Sequence, residues 1–533
     1  MARQISQVPD TSEEPVRENP LIILWLDNLG VFYPLIGELG LTNIAAAFAG
    51  GTAVRHLISP VPSVTESAEV VVKAGCGLDR LPVLGEVTFD RAARRYFNLK
   101  QTDFDRETGT VTPVEGAPRL ADFVSPALAE RLIPNLGFTT CQIGWKLEQV
   151  GAGRVISLES EEAIRLEATA SYDIIPLRIQ ALLQAMQDYE ADLYLLNISG
   201  DSIVHDEGLA GQAAFMKRLD EEFPALIEGL AAQAREPTLI MFSDHGPKPV
   251  QGHLKPEEFL AGIEGLVFVG EGTPSRFPPP TLGEGQGGGG EGRAANAAVV
   301  SNGRGSLYLY VRNPDDKTAW RRTAYRQLRD YQGQDILAAI ADQPETLFVI
   351  CNREEGGIAI LSAEGEATLS AADGGALPPQ GWGGLRGGAY RLTWGKDPLG
   401  LDEVEGRVVS AQEMLERTHD KPFPYPLQWL ELLQAPCCGD VMIVVDKYAF
   451  FWDKPWIITT HGGPSPGEVG TSLLAVGPQH PEAGICYGKQ IACGSIGQLY
   501  NSLCWILYRR PPRRRPEVDL LFGSCETFHA SGR

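Results

Sequence analysis

No stretch of this sequence is apolar for long enough to cross a bilayer. The run at 21–26 is the first strongly apolar segment, and it is shorter than a membrane span or the core of a signal peptide. The first twenty residues are polar and contain proline, so neither membrane attachment nor export is expected, and the expected location is cytoplasmic. Paired metal-ligand cysteine spacing is also missing. The nine cysteines are an odd, scattered set, which argues against a zinc-ribbon site and suits reduced thiols. The adjacent Cys437 and Cys438 read as small buried residues entering a strand. Positive charge is scarce, with 46 Lys and Arg against 68 Asp and Glu for a net charge of -22. A field of that sign repels nucleic-acid polymers and anionic lipid, so a phosphorylated substrate would need metal ions to draw it in. The most basic stretch, 509–515 (RRPPRRR), is broken by two prolines and reads as a solvated tail. The glycine run at 287–290 has no following Gly-Lys-Ser/Thr and no preceding strand, so it is not a phosphate cradle. No internal repeat is present.

What the chain does have is size and ordinary globular composition: 533 residues, 43% hydrophobic and 21% charged. That length exceeds what one hydrophobic core fills, so a large catalytic unit with an insertion is expected. The organisation reads as a disordered tail at 1–20 and a first part of a catalytic core at 21–269. A flexible Gly/Pro-rich loop at 270–305 and an inserted α+β cap-like region at 306–439 follow. A closing part of the core at 440–505 and a C-terminal tail at 506–533 complete the chain.

Four segments share one design, an apolar run that delivers a polar residue at its end. They are 21–27 (LIILWLD), 192–201 (DLYLLNISGD), 238–245 (TLIMFSDH) and 456–461 (WIITTH). Continuous apolar runs of this kind read as buried parallel strands. Amphipathic stretches at 175–189 and 213–234 supply the helices of a βαβ pattern. The expected fold class is therefore α/β, a mostly parallel central sheet flanked by helices. In such sheets ligands bind outside the carboxyl ends of the strands, so the four polar ends point to one shared site.

The residues at those ends form a coherent chemical set. Asp201 and His205 stand at i and i+4, on one face if a helical turn begins there. Asp244 and His245 are adjacent at a strand end, Asp27 ends the first run, and His461 precedes two glycines that permit a tight turn. Mixed carboxylate and imidazole ligands suit two divalent ions, Zn²⁺ first and Mn²⁺ as a lesser fit. Thr65 follows a proline-containing turn and opens a helix-compatible stretch. A hydroxyl there is either an N-cap or, beside a metal, an activated nucleophile.

The order Asp27, then Pro62 to Thr65 (PSVT), then Asp201 to His205, then 243–246 (SDHG), then His461 with its glycines resembles the alkaline phosphatase superfamily. The threonine resembles that of its type I phosphodiesterase and nucleotide pyrophosphatase family. The resemblance covers roughly 21–255 and 440–500. It implies an alkaline-phosphatase-like sheet and one zinc on Asp27, Thr65, Asp244 and His245, with a second on Asp201, His205 and His461. It also implies hydrolysis of phosphodiester or pyrophosphate bonds in a small substrate of nucleotide type through a phosphothreonine at Thr65. A phosphonate hydrolase, a phosphomonoesterase, a phosphomutase and an inactive metal-binding relative are the alternatives. A sulfatase is disfavoured because no Cys/Ser-x-Pro-x-Arg context surrounds Thr65. Asn28 and Lys146 are candidate substrate contacts. Two departures stand out: Pro247 follows Gly246, and Glu66 places a carboxylate beside Thr65, where it would repel a dianionic monoester.

Overall fold

The computed structural model describes residues 19–508 apart from 31, 100–101, 106–109, 115–117, 134–137, 145–154, 269–294, 317–319, 355, 373–388, 395–397, 402–403, 405, 451–456 and 481–484. Its centre is an eight-stranded sheet. In chain order the strands are β1 (Leu21–Asp27), β2 (Thr52–Ile58), β3 (Thr140–Ile143), β4 (Val155–Leu158), β5 (Leu193–Ser199), β6 (Thr238–Ser243), β7 (Gly470–Val476) and β8 (Gln490–Ser495). In space they run β8-β2-β7-β6-β1-β5-β3-β4. Every neighbouring pair is parallel except the two made by β7, which runs against both β2 and β6.

The unbroken apolar run of β1 follows from its central place, where both faces are covered. Leu21, Ile23 and Trp25 enter one core, and Ile22, Leu24 and Leu26 the other. Each of these fully buried large side chains contributes roughly 1.5–3 kcal/mol relative to exposure. On the Trp25 face lie α1 (Thr65–Ala74) and the helix Ile496–Tyr508, whose Val70, Leu499 and Leu503 share that core. On the opposite face lie Ile174–Asp188 and α2 (Asp201–Ala231), through Ile175, Leu182, Ile203 and Phe215.

A second eight-stranded sheet is wholly antiparallel and spans Ala297–Val300 to Val441–Val445. One face, through Tyr308, Ile350 and Met442, joins the core under α1; the other, with Leu307, Val349 and Val441, has its own. Val441–Val445 pairs with Ser306–Val311 and Thr346–Asn352, so it belongs to this sheet and not to the central one.

Two further expectations are corrected. The described part of 456–461, residues 457–461, contributes no strand to the central sheet. Only Thr459–Thr460 is extended, paired antiparallel with Lys248–Pro249, while the neighbouring Ile458 is 47% exposed. Its apolar letters belong to a short two-stranded ribbon in which Ile457, Thr459 and Thr460 are buried and only Ile458 faces out. Nor are the cysteines all thiols: among the described residues seven are free, but Cys486 is disulfide-bonded, a pairing that spacing along the chain does not reveal. Among the described residues no helix is long and apolar enough to cross a membrane.

Candidate metal centre

Asp27, Ser199 and Ser243 end the adjacent parallel strands β1, β5 and β6, so the turns that follow meet at one edge of the sheet. Those after β1 and β6 interlock. The Ser243 hydroxyl accepts from the Leu29 and Gly30 N–H groups at 3.1 Å and donates to the His245 carbonyl, and Gly30 N–H donates to that carbonyl at 2.8 Å. The contact leaves no room for side chains: a Cβ on Gly246 would collide with Gly30 Cα and the Gly467 carbonyl oxygen. These constraints aim Asp27, Asp244 and His245 at one point, with their ligand atoms within 4.8 Å of one another.

A second cluster, Asp201, His205 and His461, meets the same limit. The expected helical turn is real, for α2 begins at Asp201 and carries His205 one turn later. His205 Nδ1 hydrogen-bonds the Thr459 carbonyl at 2.9 Å and His461 Nδ1 that of Ser63 at 3.0 Å, which makes each Nδ1 the donor and turns each Nε2 into the site. Both Nε2 atoms face Asp201 Oδ1, at 3.2 and 3.5 Å. The clusters touch through His245 and His461, whose rings stack with centroids 4.2 Å apart.

Thr65 is the first residue of α1, and the cap position falls to Val64 with no side-chain capping bond. Freed from capping, the Thr65 hydroxyl donates to Asp27 Oδ1 at 3.2 Å and lies 3.5 Å from His245 Nε2. Ser63, two residues earlier, also receives a hydrogen bond from the Gly462 N–H at 2.9 Å and donates to the Gly463 carbonyl, tying this loop to the turn after His461. Asn28 is fully buried, with its side-chain amide 2.8 Å from Asp201 Oδ1. Lys146 lies outside the described residues.

The donors fit a cation. Burial and then the charge of Asp27 push the Asp244 carboxyl well above its ordinary value, and its Oδ2 is buried with no hydrogen-bond partner. Burial likewise pushes the His245 imidazole down. Burial also acts to raise the Asp201 carboxyl, but the charges and hydrogen bonds of His205 and His461 outweigh it and hold it well below the usual range. Two carboxylates forced together with an orphaned oxygen make an arrangement that a divalent ion would neutralise and complete.

The sequence reading overlooked the supporting shell: Ser63, Ser199, whose hydroxyl donates to Asp27 Oδ2 at 2.8 Å, and Thr459. The one available signal was period two along β5, which puts Ser199 and the 94%-buried Asn197 on the face of Asp27 and Trp25. Asn197 makes no side-chain hydrogen bond among the described residues.

The fold is an alkaline-phosphatase-like architecture, with two clusters of candidate metal ligands at the carboxyl edge of the sheet. Solved structures it is similar to include ectonucleotide pyrophosphatase/phosphodiesterases. Murine ectonucleotide pyrophosphatase/phosphodiesterase 5 matches with a TM-score of 0.53 at 11% identity, over 93% of this chain and 97% of that one. An inactive threonine-to-alanine variant of the murine protein in complex with AMP matches equally, and the human protein matches with a TM-score of 0.51 at 11% identity, over 92% and 95% of the two chains. No protein-family model and no curated protein matches the chain by sequence. The resemblance read from the motifs therefore holds at the level of the fold.

Proposed function

We propose that this chain is a metal-dependent hydrolase of phosphodiester or pyrophosphate bonds in a small phosphorylated substrate, with Thr65 as nucleophile. One observation carries the reading: a threonine hydroxyl that does not cap its helix is held against Asp27 and His245, beside a second cluster of opposite composition. Asp27, Asp244, His245 and Thr65 would hold one ion, and Asp201, His205 and His461 the other, zinc being the best match to mixed oxygen and nitrogen donors. When bound, two such ions supply the positive charge that lowers the pKa of a hydroxyl and neutralises the entering and leaving oxygens. The protein's own part is positional. The N-terminal turn of α1 directs the positive end of the helix dipole toward an anion beside Thr65. Asp27 Oδ1, already the acceptor of the Thr65 proton, orients that hydroxyl for attack.

In the first step the Thr65 oxygen gives up its proton and bonds phosphorus, the ester or anhydride bond breaks, and the leaving alcohol or phosphate takes up a proton in its place. In the second, water bonds phosphorus, the Thr65 oxygen leaves and regains its proton. The murine neighbour, inactive as a threonine-to-alanine variant and complexed with AMP, supports both a threonine nucleophile and nucleotides as the first substrates to try. Glu66, 8% exposed in the first turn of α1, favours diesters over dianionic monoesters.

The test is hydrolysis of bis-p-nitrophenyl phosphate and p-nitrophenyl phosphate by zinc-loaded wild type and Thr65→Ala, with metal content measured on the same samples. The diester should turn over faster, with two ions bound. Thr65→Ala should keep both ions and lose at least about 1000-fold in kcat. Absence of bound metal, or unchanged turnover in Thr65→Ala, overturns the proposal.

A further inference from the structure

Asn28 sits between the two clusters, and its contacts are divided between them. Its backbone N–H donates to Asp244 Oδ1 at 3.2 Å, and its side-chain Nδ2 donates to Asp201 Oδ1 at 2.8 Å. It is fully buried, immediately follows Asp27, and its φ of 61° lies in the left-handed region. Glycine enters that region without strain, and asparagine is among the few side-chain-bearing residues that tolerate it. The turn itself therefore needs only glycine. The asparagine adds an amide, and that amide reaches the second cluster. It bonds the same Asp201 oxygen that faces His205 Nε2 and His461 Nε2, so it fixes the rotation of that carboxylate. The backbone bond occupies Oδ1 of Asp244 and leaves Oδ2, 3.5 Å from His245 Nε2, as the free donor.

Resting on the two-metal reading above, we propose that Asn28 is a positioning residue that couples the two metal sites. An ion held by Asp27, Asp244 and His245 pins the peptide between Asp27 and Asn28, and through it the amide that orients Asp201. Filling the first site therefore raises the affinity of the second. The two bonds are separable. Replacing Asn28 by glycine keeps the φ and the backbone bond to Asp244 and removes only the amide. The first site should then be untouched, while the second loses an outer-shell partner of the kind whose removal weakens metal affinity about 10–100-fold.

The measurement is a zinc titration of the metal-free full chain by competition with a chromophoric chelator, with thermal midpoints of the metal-free proteins recorded beside it. His205→Ala, which keeps only the first site, identifies the two steps. Wild type should take up two ions with the second step aided by the first. Asn28→Gly should keep the wild-type midpoint and first step, and its second step should weaken about 10–100-fold. Should the glycine variant fold poorly, Asn28→Asp keeps the left-handed preference and replaces the donor with a like charge, and it carries the same expected loss. Two unchanged steps in Asn28→Gly overturn the coupling while leaving the two-metal reading intact. Equal weakening of both steps with a lowered midpoint also overturns it, since the residue then acts only through the fold. A wild type that binds no zinc overturns both proposals together.

Discussion

Asp244 should make the metal-free protein less stable than it would be with a neutral residue in that place. The side chain is fully buried, faces the Asp27 charge, and has an Oδ2 with no partner. A buried polar atom left unsatisfied costs about 1–3 kcal/mol, and a charged one more. Asp244→Asn removes the charge and turns a donor toward Asp27, so the chelated variant should gain about 1–3 kcal/mol over chelated wild type. Unfolding entropy for a chain of this size is about 1 kcal/mol per kelvin, so the melting midpoint should rise by about 1–3 °C. The pH dependence has a definite sign. The folded carboxyl is raised above its ordinary 3.8, so below that value both states are protonated and the substitution confers nothing. As pH climbs from there the unfolded state ionises first, and the advantage of the asparagine grows until the folded carboxyl ionises too. Asp201, shifted the other way, has finished titrating by then and does not contribute. Zinc should reverse the order, because saturation at a thousand times Kd stabilises wild type by about 4 kcal/mol and the variant's first site by much less. Thermal unfolding in chelator and in zinc, from pH 4 to 8, reads all of this. A chelated Asp244→Asn protein no more stable than wild type at pH 8 would show that the carboxylate is satisfied without a cation.

Two further outcomes follow from groups near Thr65. Like charges at 4 Å repel by about 4 kcal/mol at an effective dielectric of 20, so even a fraction of that at Glu66 should set substrate charge preference. Glu66→Gln should improve monoester turnover relative to diester by about 10-fold or more in the paired p-nitrophenyl assay, and an unchanged ratio would mean the carboxylate does not face the phosphoryl group. Lys73, on the same helix, is buried against Glu69 and Gln142 at 2.7 Å each. Lys73→Met strands the Glu69 charge and should destabilise by about 3–5 kcal/mol in denaturant unfolding, with most of the loss recovered in Glu69→Leu/Lys73→Met.

The parts of this molecule that sequence could reveal are those with a local rule. β1, β5 and β6 are visible because a strand covered on both faces must be apolar throughout, and their polar ends mark the edge where ligands gather. Asp201 and His205 are visible because i and i+4 share a helix face. The ribbon at Thr459–Thr460 misled because Trp456 to Ile458 carries the letters of a buried strand while its neighbours offer it only a two-residue partner. The long-range contacts of Ser63 and Asn28 stayed hidden. Each hydrogen-bonds a residue 173 or more positions away, His461 or Asp201, and no periodicity encodes such a distance. Glu66, in contrast, was legible as a departure, and its burial in the first turn of α1 now gives that departure a location.

The antiparallel strand β7 carries a consequence for how the chain is made. It alone joins β8-β2 to β6-β1-β5-β3-β4, since β2 and β6 have no direct pairing. On the ribosome β2 and β6 emerge long before residue 476, and until then each presents an open hydrogen-bonding edge flanked by apolar side chains. Such edges recruit other chains. The nascent protein therefore passes through a prolonged stage in which β2 is separated from the β6-β1-β5-β3-β4 sheet and vulnerable to self-association, and translation must pass Gly470–Val476 before the two can be joined.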